Sequence, residues 1–260
     1  MIELLRGDRA FVKVGHRGAP ALAPENTLRS FEAAIGHGVD LVELDVLDLV
    51  DGTLVLAHSD DLLEVSHGAA RGRVRMLSLA ALREVAPELP TLDEALEFLA
   101  PRSVGVQVDV KAPGHERPIA EALRRHALLE RSFASTSSLP ALAALAVAEP
   151  RLPRSLSYPD DRRGLAQRRL VRPAIRPGLA AMRRSLPARL PRWLRRAGAS
   201  AATLNHTVVS AAAVRRCHAL GIAVYAWTVD DPDVARSLVR LGTDGIITND
   251  PRIFSGPLTT

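Results

Sequence analysis

The sequence predicts an α/β protein, a (β/α)8 TIM barrel with a small insertion after the second barrel strand. Three observations carry that prediction: eight short apolar runs of strand length, helix-period segments between them, and polar, chemistry-bearing residues at the C-terminal ends of the runs. A chain of 260 residues with 47% hydrophobic content can bury one large core, so residues 1–260 read as a single domain. An open doubly wound sheet is the rival topology, but no GxGxxG fingerprint follows the first strand.

The first strand is the apolar run 11–14, which stops at Gly15 and leaves His16 and Arg17 at its C-terminal mouth. Helical spacing over 27–35 places Leu28, Phe31 and Ile35 on one face, starts at an Asn-Thr cap and ends at Gly36 and Gly38. The second strand, 41–47, puts Glu43 and Asp45 on one face and Val42, Leu44 and Val46 on the other. Asp51-Gly52 then signals a hairpin into an antiparallel extra strand at 53–57. A two-residue turn centred on that pair would set His58 opposite Asp45, and a slip of one residue would undo this. Residues 59–100 form the insertion, with helices at 79–85 and 92–99.

The remaining barrel strands fall at 104–110, 131–135, 154–157, 201–204, 222–227 and 245–248. Helices at 118–129, 139–148, 211–220 and 234–241 connect them. In the third barrel strand Gln107, Asp109 and Lys111 share a face. Ser135, Asn205-His206 and Trp227-Thr228 also end strands, and Trp227 would supply an apolar wall to a site there.

Composition narrows the function classes. One cysteine, Cys217, excludes an internal disulfide, no apolar run approaches membrane-span length, and residues 1–9 leave no room for a signal peptide before the first strand. These features predict a cytoplasmic protein. Residues 151–200 hold fourteen arginines and only Asp160 and Asp161 as acids, a local balance of +12, while the rest of the chain carries −7. Weak contact of this basic stretch with an anionic membrane surface is one expectation, and no specific nucleic acid partner is expected. Within the Arg-rich segment 160–198, Pro173, Pro177, Pro187 and Pro191 predict short helical pieces such as 179–185 and 192–196 instead of one long helix.

The chemistry follows from residue types. Glu43, Asp45 and Asp109 offer only oxygen ligands, which suits a hard divalent cation, Mg²⁺ or Ca²⁺. A cation beside Arg17 and Lys111 makes a site for an anion, and the guanidinium fork matches phosphate oxygens. His16 and His58 then fit the two proton-transfer roles of metal-assisted phosphodiester cleavage.

The strings Gly15-His16-Arg17-Gly18, Pro24-Glu25-Asn26-Thr27, Glu43-Leu44-Asp45, Asp51-Gly52 and His58 open a pattern that Trp227-Thr228-Val229 and Asp244-Gly245-Ile246-Ile247-Thr248 close. That pattern resembles the glycerophosphodiester phosphodiesterase family over about residues 12–251. The resemblance implies a TIM-barrel hydrolase that converts a small-molecule glycerophosphodiester to sn-glycerol 3-phosphate and an alcohol. It implies His16 and His58 as the acid/base pair, Glu43, Asp45 and Asp109 as metal ligands, and Arg17 and Lys111 on the phosphate. It also implies Glu25 at the metal or the glycerol end. Similar enzymes are thought to use the glycerol 2-hydroxyl as first nucleophile, with water opening the resulting cyclic phosphate.

The chain departs from the family pattern at three places. Asp109 stands where glutamate is usual, Ser59 follows His58 where aspartate is usual, and Glu64-Val65-Ser66 replaces an arginine and threonines. Two alternatives stay open: a lysophospholipase D-type lipid phosphodiesterase, and a catalytically weak phosphodiester-binding module in which Asp109 spoils the metal site. A peripheral protein acting through the basic stretch is a third class.

Overall fold

Eight parallel strands close into a ring with helices outside it. The computed structural model describes residues 2–159, 172–256 and 258. The strands are β1 (Val12–Gly15), β2 (Leu41–Asp48), β4 (Gly105–Val110), β5 (Ser132–Thr136), β6 (Arg154–Tyr158), β7 (Ala201–Asn205), β8 (Ala223–Trp227) and β9 (Gly245–Thr248). Around the ring the order is β1-β9-β8-β7-β6-β5-β4-β2, and β1–β2 pairing closes it. A short β3 (Leu54–Leu56) hangs antiparallel on β2.

Alternation along the strands sorts side chains between two cores. Val42, Leu44 and Val46 face outward into the main core, packed under α1 (Leu28–Gly36), α4 (Leu92–Leu99) and α5 (Glu116–Arg125). Leu41, Val14, Phe133, Tyr225 and Ile247 fill the barrel interior at the opposite end from the site. Above Leu41 the same face of β2 carries Glu43 and then Asp45, in register with Gln107 and Asp109 of β4. An apolar floor therefore becomes an acidic rim within one strand.

The excursion after β2 has its own small core. Leu47, Leu49, Val55, Leu62, Val74, Leu82 and Leu89 cluster there, around α2 (Leu62–Val65) and α3 (Leu79–Val85). By contrast α4 buries Leu92, Ala95, Leu96 and Leu99 in the main core and starts with a Thr91–Glu94 capping box. It serves as the crossover helix to β4.

Two expectations are corrected. Leu49 N–H bonds Thr53 O at 2.9 Å and Gly52 has φ +81°, so the hairpin loop has three central residues instead of two. The register shifts by one: Val46 pairs with Leu56, and Ala57 N–H donates to Asp45 O at 3.1 Å. His58 does not sit opposite Asp45.

The second correction concerns the proline-rich segment, whose residues 160–171 lie outside the described residues. Arg172–Ala197 forms one helix, α7, with Pro177, Pro187 and Pro191 inside it. Each proline removes a helical N–H. The helix is held by a buried stripe at four-residue spacing, Leu186, Leu190 and Leu194, and by Trp193 packing on Tyr158 at 5.5 Å. The remaining helices are α6 (Leu139–Ala148), α8 (Ala211–His218) and α9 (Pro232–Leu241). No helix among the described residues is long and apolar enough to cross a membrane.

Candidate active site

Strand ends and the loops after them bring the predicted residues together at the C-terminal end of the barrel. Oxygens of Glu43, Asp45 and Asp109 lie within 4.8 Å of one another. Glu43 and Asp45 are buried, because they point inward from the middle of β2. Lys111, just past β4, bridges two of the carboxylates: its Nζ is 2.6 Å from Asp45 Oδ1 and 2.5 Å from Asp109 Oδ2.

Arg17 leaves β1 with φ +53°, an uncommon conformation for a side chain of its size. The turn aims its backbone N–H at Glu43 Oε2 (2.8 Å) and its guanidinium at Glu25 Oε2 (2.7 Å) and Asp45 Oδ2 (2.9 Å). Asn26, also left-handed at φ +56°, clamps Asp45 from two sides. Its Nδ2 donates to Asp45 Oδ2 at 3.0 Å, and its Oδ1 accepts from Asp45 N–H at 3.1 Å. Ser135 Oγ donates to Asp109 Oδ1 at 2.6 Å and accepts from Gln107 Nε2 at 3.0 Å.

The charges shape one another. Burial and the adjacent Asp45 carboxylate push the Glu43 carboxyl well above its usual range. Asp45 is held ionised far below its own: burial opposes the charge, but Lys111 and Arg17 outweigh it. Both cations are held charged against burial, Lys111 by Asp109 and Asp45, Arg17 by Asp45 and Glu25. Burial, helped by Arg17, lowers His16 to about 4. His58 is lowered by burial as well, while Asp45 pulls the other way. Its side chain keeps 38% exposure, and its Nδ1 lies 3.9 Å from Glu64 Oε1. His58 reaches the site because β3 stops at Leu56 and the chain bends there.

Trp227 ends β8 half-buried, and its Nε1 donates to Thr203 O at 3.1 Å on the neighbouring strand. Sequence reasoning gave Asn26 only a place in the helix cap, where Thr27 alone is the N-cap, and missed Asn249 and Asp230. Asn249 Oδ1 is 2.7 Å from His16 Nδ1, and Asn249 Nδ2 donates to Asp230 Oδ2 at 2.8 Å. The available signal was position: Asn249 is the first residue beyond β9, where a barrel collects its functional groups.

The donor set fits a hard divalent cation. All three acids offer oxygen only, they converge from two adjacent strands, and Arg17 and Lys111 beside them leave an anion two cationic partners. Such a group can bind a phosphate ester, with two imidazoles at hand for proton transfer.

Comparison with known proteins places the chain in one family and one fold. Residues 16–151 and 166–253 match the model of the glycerophosphoryl diester phosphodiesterase family. The chain is 29% identical over 254 residues to the glycerophosphodiester phosphodiesterase GDPD4 of Arabidopsis thaliana, covering 93% of this chain and 71% of that one. A glycerophosphodiester phosphodiesterase of Caldanaerobacter subterraneus is 25% identical over 254 residues, covering 92% and 93%. Among solved structures, an Oleispira antarctica phosphodiesterase in complex with the product sn-glycerol-3-phosphate superposes with a TM-score of 0.73 at 23% identity, over 94% of this chain and 95% of that one. The Thermotoga maritima glycerophosphodiester phosphodiesterase superposes at 0.72 with 22% identity, over 95% and 98%.

Proposed function

The chain belongs to the glycerophosphoryl diester phosphodiesterase family, and from that premise we propose that it hydrolyses small glycerophosphodiesters to sn-glycerol 3-phosphate and an alcohol, using a divalent cation and two histidines. The observation that carries the reading is the meeting of Glu43, Asp45 and Asp109 with Arg17 and Lys111 at the barrel mouth, with His16 and His58 both in the field of Asp45. The carboxylates would hold Mg²⁺ or Ca²⁺. When bound, the cation would polarise the phosphoryl oxygens and offset their developing charge.

The chain's own residues do the rest. Arg17 offers a planar fork to two phosphate oxygens, and Lys111 offers a point charge beside them. Burial keeps His16 unprotonated at neutral pH, ready to exchange a proton with a substrate hydroxyl. Asn249, held by Asp230, fixes the orientation of that imidazole. In the proposed sequence the glycerol 2-hydroxyl loses its proton to one histidine and attacks phosphorus, while the other protonates the departing alkoxide. Water then opens the cyclic phosphate with the roles exchanged. Glu25 holds Arg17 and faces the substrate, and Trp227 walls the far side.

The relatives' names favour this diesterase reading over a lysophospholipase D or a non-catalytic binding module. Action in the cytoplasm belongs to the same proposal and is compatible with the single buried thiol, Cys217. Contact with an anionic membrane is supported by exposed Arg183, Arg184, Arg189, Arg192, Arg195 and Arg196 on α7. Salt-sensitive sedimentation with phosphatidylglycerol vesicles, absent with neutral ones, is expected.

The central test is glycerol 3-phosphate release from a panel of diesters with Mg²⁺, Ca²⁺, Mn²⁺ or EDTA. Release with a cation, lost in EDTA and lowered about 10²–10⁴-fold in His58→Ala, is the expected result. Absence of turnover with every cation would overturn the reading.

A further inference from the structure

The loop after β8 and the end of β9 form a small polar frame behind His16. Val229 N–H donates to Ile247 O at 2.9 Å and His16 N–H donates to Thr248 O at 2.8 Å, so Asp230, Asn249 and His16 share one backbone scaffold. Asp230 Oδ1 accepts from the Asn249 backbone N–H at 2.8 Å, with the Thr248 hydroxyl 3.0 Å away. The carboxylate is thus oriented without help from the Asn249 side chain. Its other oxygen, Oδ2, accepts from Asn249 Nδ2 at 2.8 Å, and Asn249 Oδ1 lies 2.7 Å from His16 Nδ1.

An amide side chain turns over with little change of shape, and its two orientations demand opposite tautomers of the imidazole it touches. Asp230 decides between them, because a carboxylate only accepts. With Nδ2 committed to Asp230, Asn249 presents Oδ1 to the ring, so Nδ1 of His16 carries the hydrogen and Nε2 the lone pair. We infer that Asp230 is a positioning residue that acts through Asn249 to set the tautomer of His16, making Nε2 the atom through which His16 exchanges its proton. What that proton does rests on the diesterase reading above. When Nε2 takes up a proton the Nδ1–H bond to Asn249 persists, and the carboxylate behind the amide polarises it in the sense that favours the imidazolium.

Asp230→Asn tests this with almost no change of shape. The fixed Asn249 N–H requires an oxygen at the Oδ1 position, so the introduced amide turns its NH2 group towards the Asn249 side chain. Asn249 then turns over, presents Nδ2 to His16 and forces the hydrogen onto Nε2. The exchange variant Asp230→Asn/Asn249→Asp puts the carboxylate next to His16, where it accepts from both neighbours, and the original tautomer returns. Long-range 15N–1H spectra of the full chain at pH 8 read the tautomer directly, since His16, lowered to about 4, is neutral there. Its signals are identified by their loss in His16→Asn. In parallel, kcat for glycerophosphocholine with Mg²⁺ should fall roughly 10²-fold in Asp230→Asn with KM little changed, and most of the loss should be recovered in the exchange variant. An Nε2–H tautomer in wild type, or an Nδ1–H tautomer retained in Asp230→Asn, would overturn the inference and leave the diesterase reading standing. So would a loss of kcat that the exchange does not restore, the mark of a merely structural role. Absence of turnover by wild type with every cation would remove the diesterase reading, and the spectra would still decide the tautomer.

Discussion

His16 sits where its charged form is disfavoured, and this has a measurable consequence for stability. Burial and Arg17 lower it to about 4, whereas an unfolded histidine titrates near about 6.5. Between these values the unfolded chain takes up a proton that the folded chain refuses, so His16 contributes its full stability above about pH 6.5 and loses it as pH falls towards 4. The whole window is worth roughly 3 kcal/mol. Urea unfolding in EDTA at pH 7 and pH 4.5 should show wild type losing most of this relative to His16→Asn, which has no imidazole to titrate. Equal losses would refute the assignment. At the acidic cluster, Asp109→Asn leaves Lys111 with Asp45 as its remaining close carboxylate, and the cation concentration for half-maximal activity should rise at least about tenfold. The proximity of His16, Arg17, Glu43, Asp45, Asp109 and Lys111 was legible because strand alternation and strand ends place them. Asn249 was not, because its meeting with His16 depends on β1 and β9 being neighbours across 233 positions of sequence.

Strands were the most legible elements, since each is a short apolar run bounded by polar or glycine residues. What failed was finer geometry. The register between β2 and β3 depends on whether the hairpin loop has two or three central residues, and Asp51-Gly52 suits both. The continuity of α7 depends on tertiary packing: local rules end a helix at proline, yet Leu186, Leu190 and Leu194 bury together against the barrel. That account predicts a cost of about 2–5 kcal/mol for Leu190→Ala, seen as a shift of the whole urea transition. Leu82→Ala should act differently, because Leu82 belongs to the separate cluster of the excursion. Amide exchange should accelerate over residues 62–89 while the barrel strands stay protected, and activity should fall because His58 is anchored beside that cluster. Uniform acceleration across both regions would show that the excursion has no core of its own.

At the scale of the whole molecule, the site exists only because the ring closes. β9 lies between β8 and β1, and its interior residue Ile247 joins Val14, Leu41, Phe133 and Tyr225 in one packed layer drawn from five strands. Tyr225 dominates this layer: its ring is 5.4 Å from Phe133, and its hydroxyl donates to Leu4 O at 3.2 Å. Gly245 makes room for it, since a Cβ there would lie 2.2 Å from the Tyr225 ring. The ring has little freedom to yield, being enclosed on all sides. Gly245→Ala should therefore cost about 1–3 kcal/mol or more through overpacking. Tyr225→Leu should also destabilise the wild-type chain, by leaving a cavity, but should be less damaging in the Gly245→Ala background, where it relieves the collision. A double-mutant cycle by urea unfolding should give a favourable coupling of roughly 0.5–3 kcal/mol. Strict additivity would mean that the strand ends carrying His16, Glu43 and Asn249 are not held in place by this shared layer.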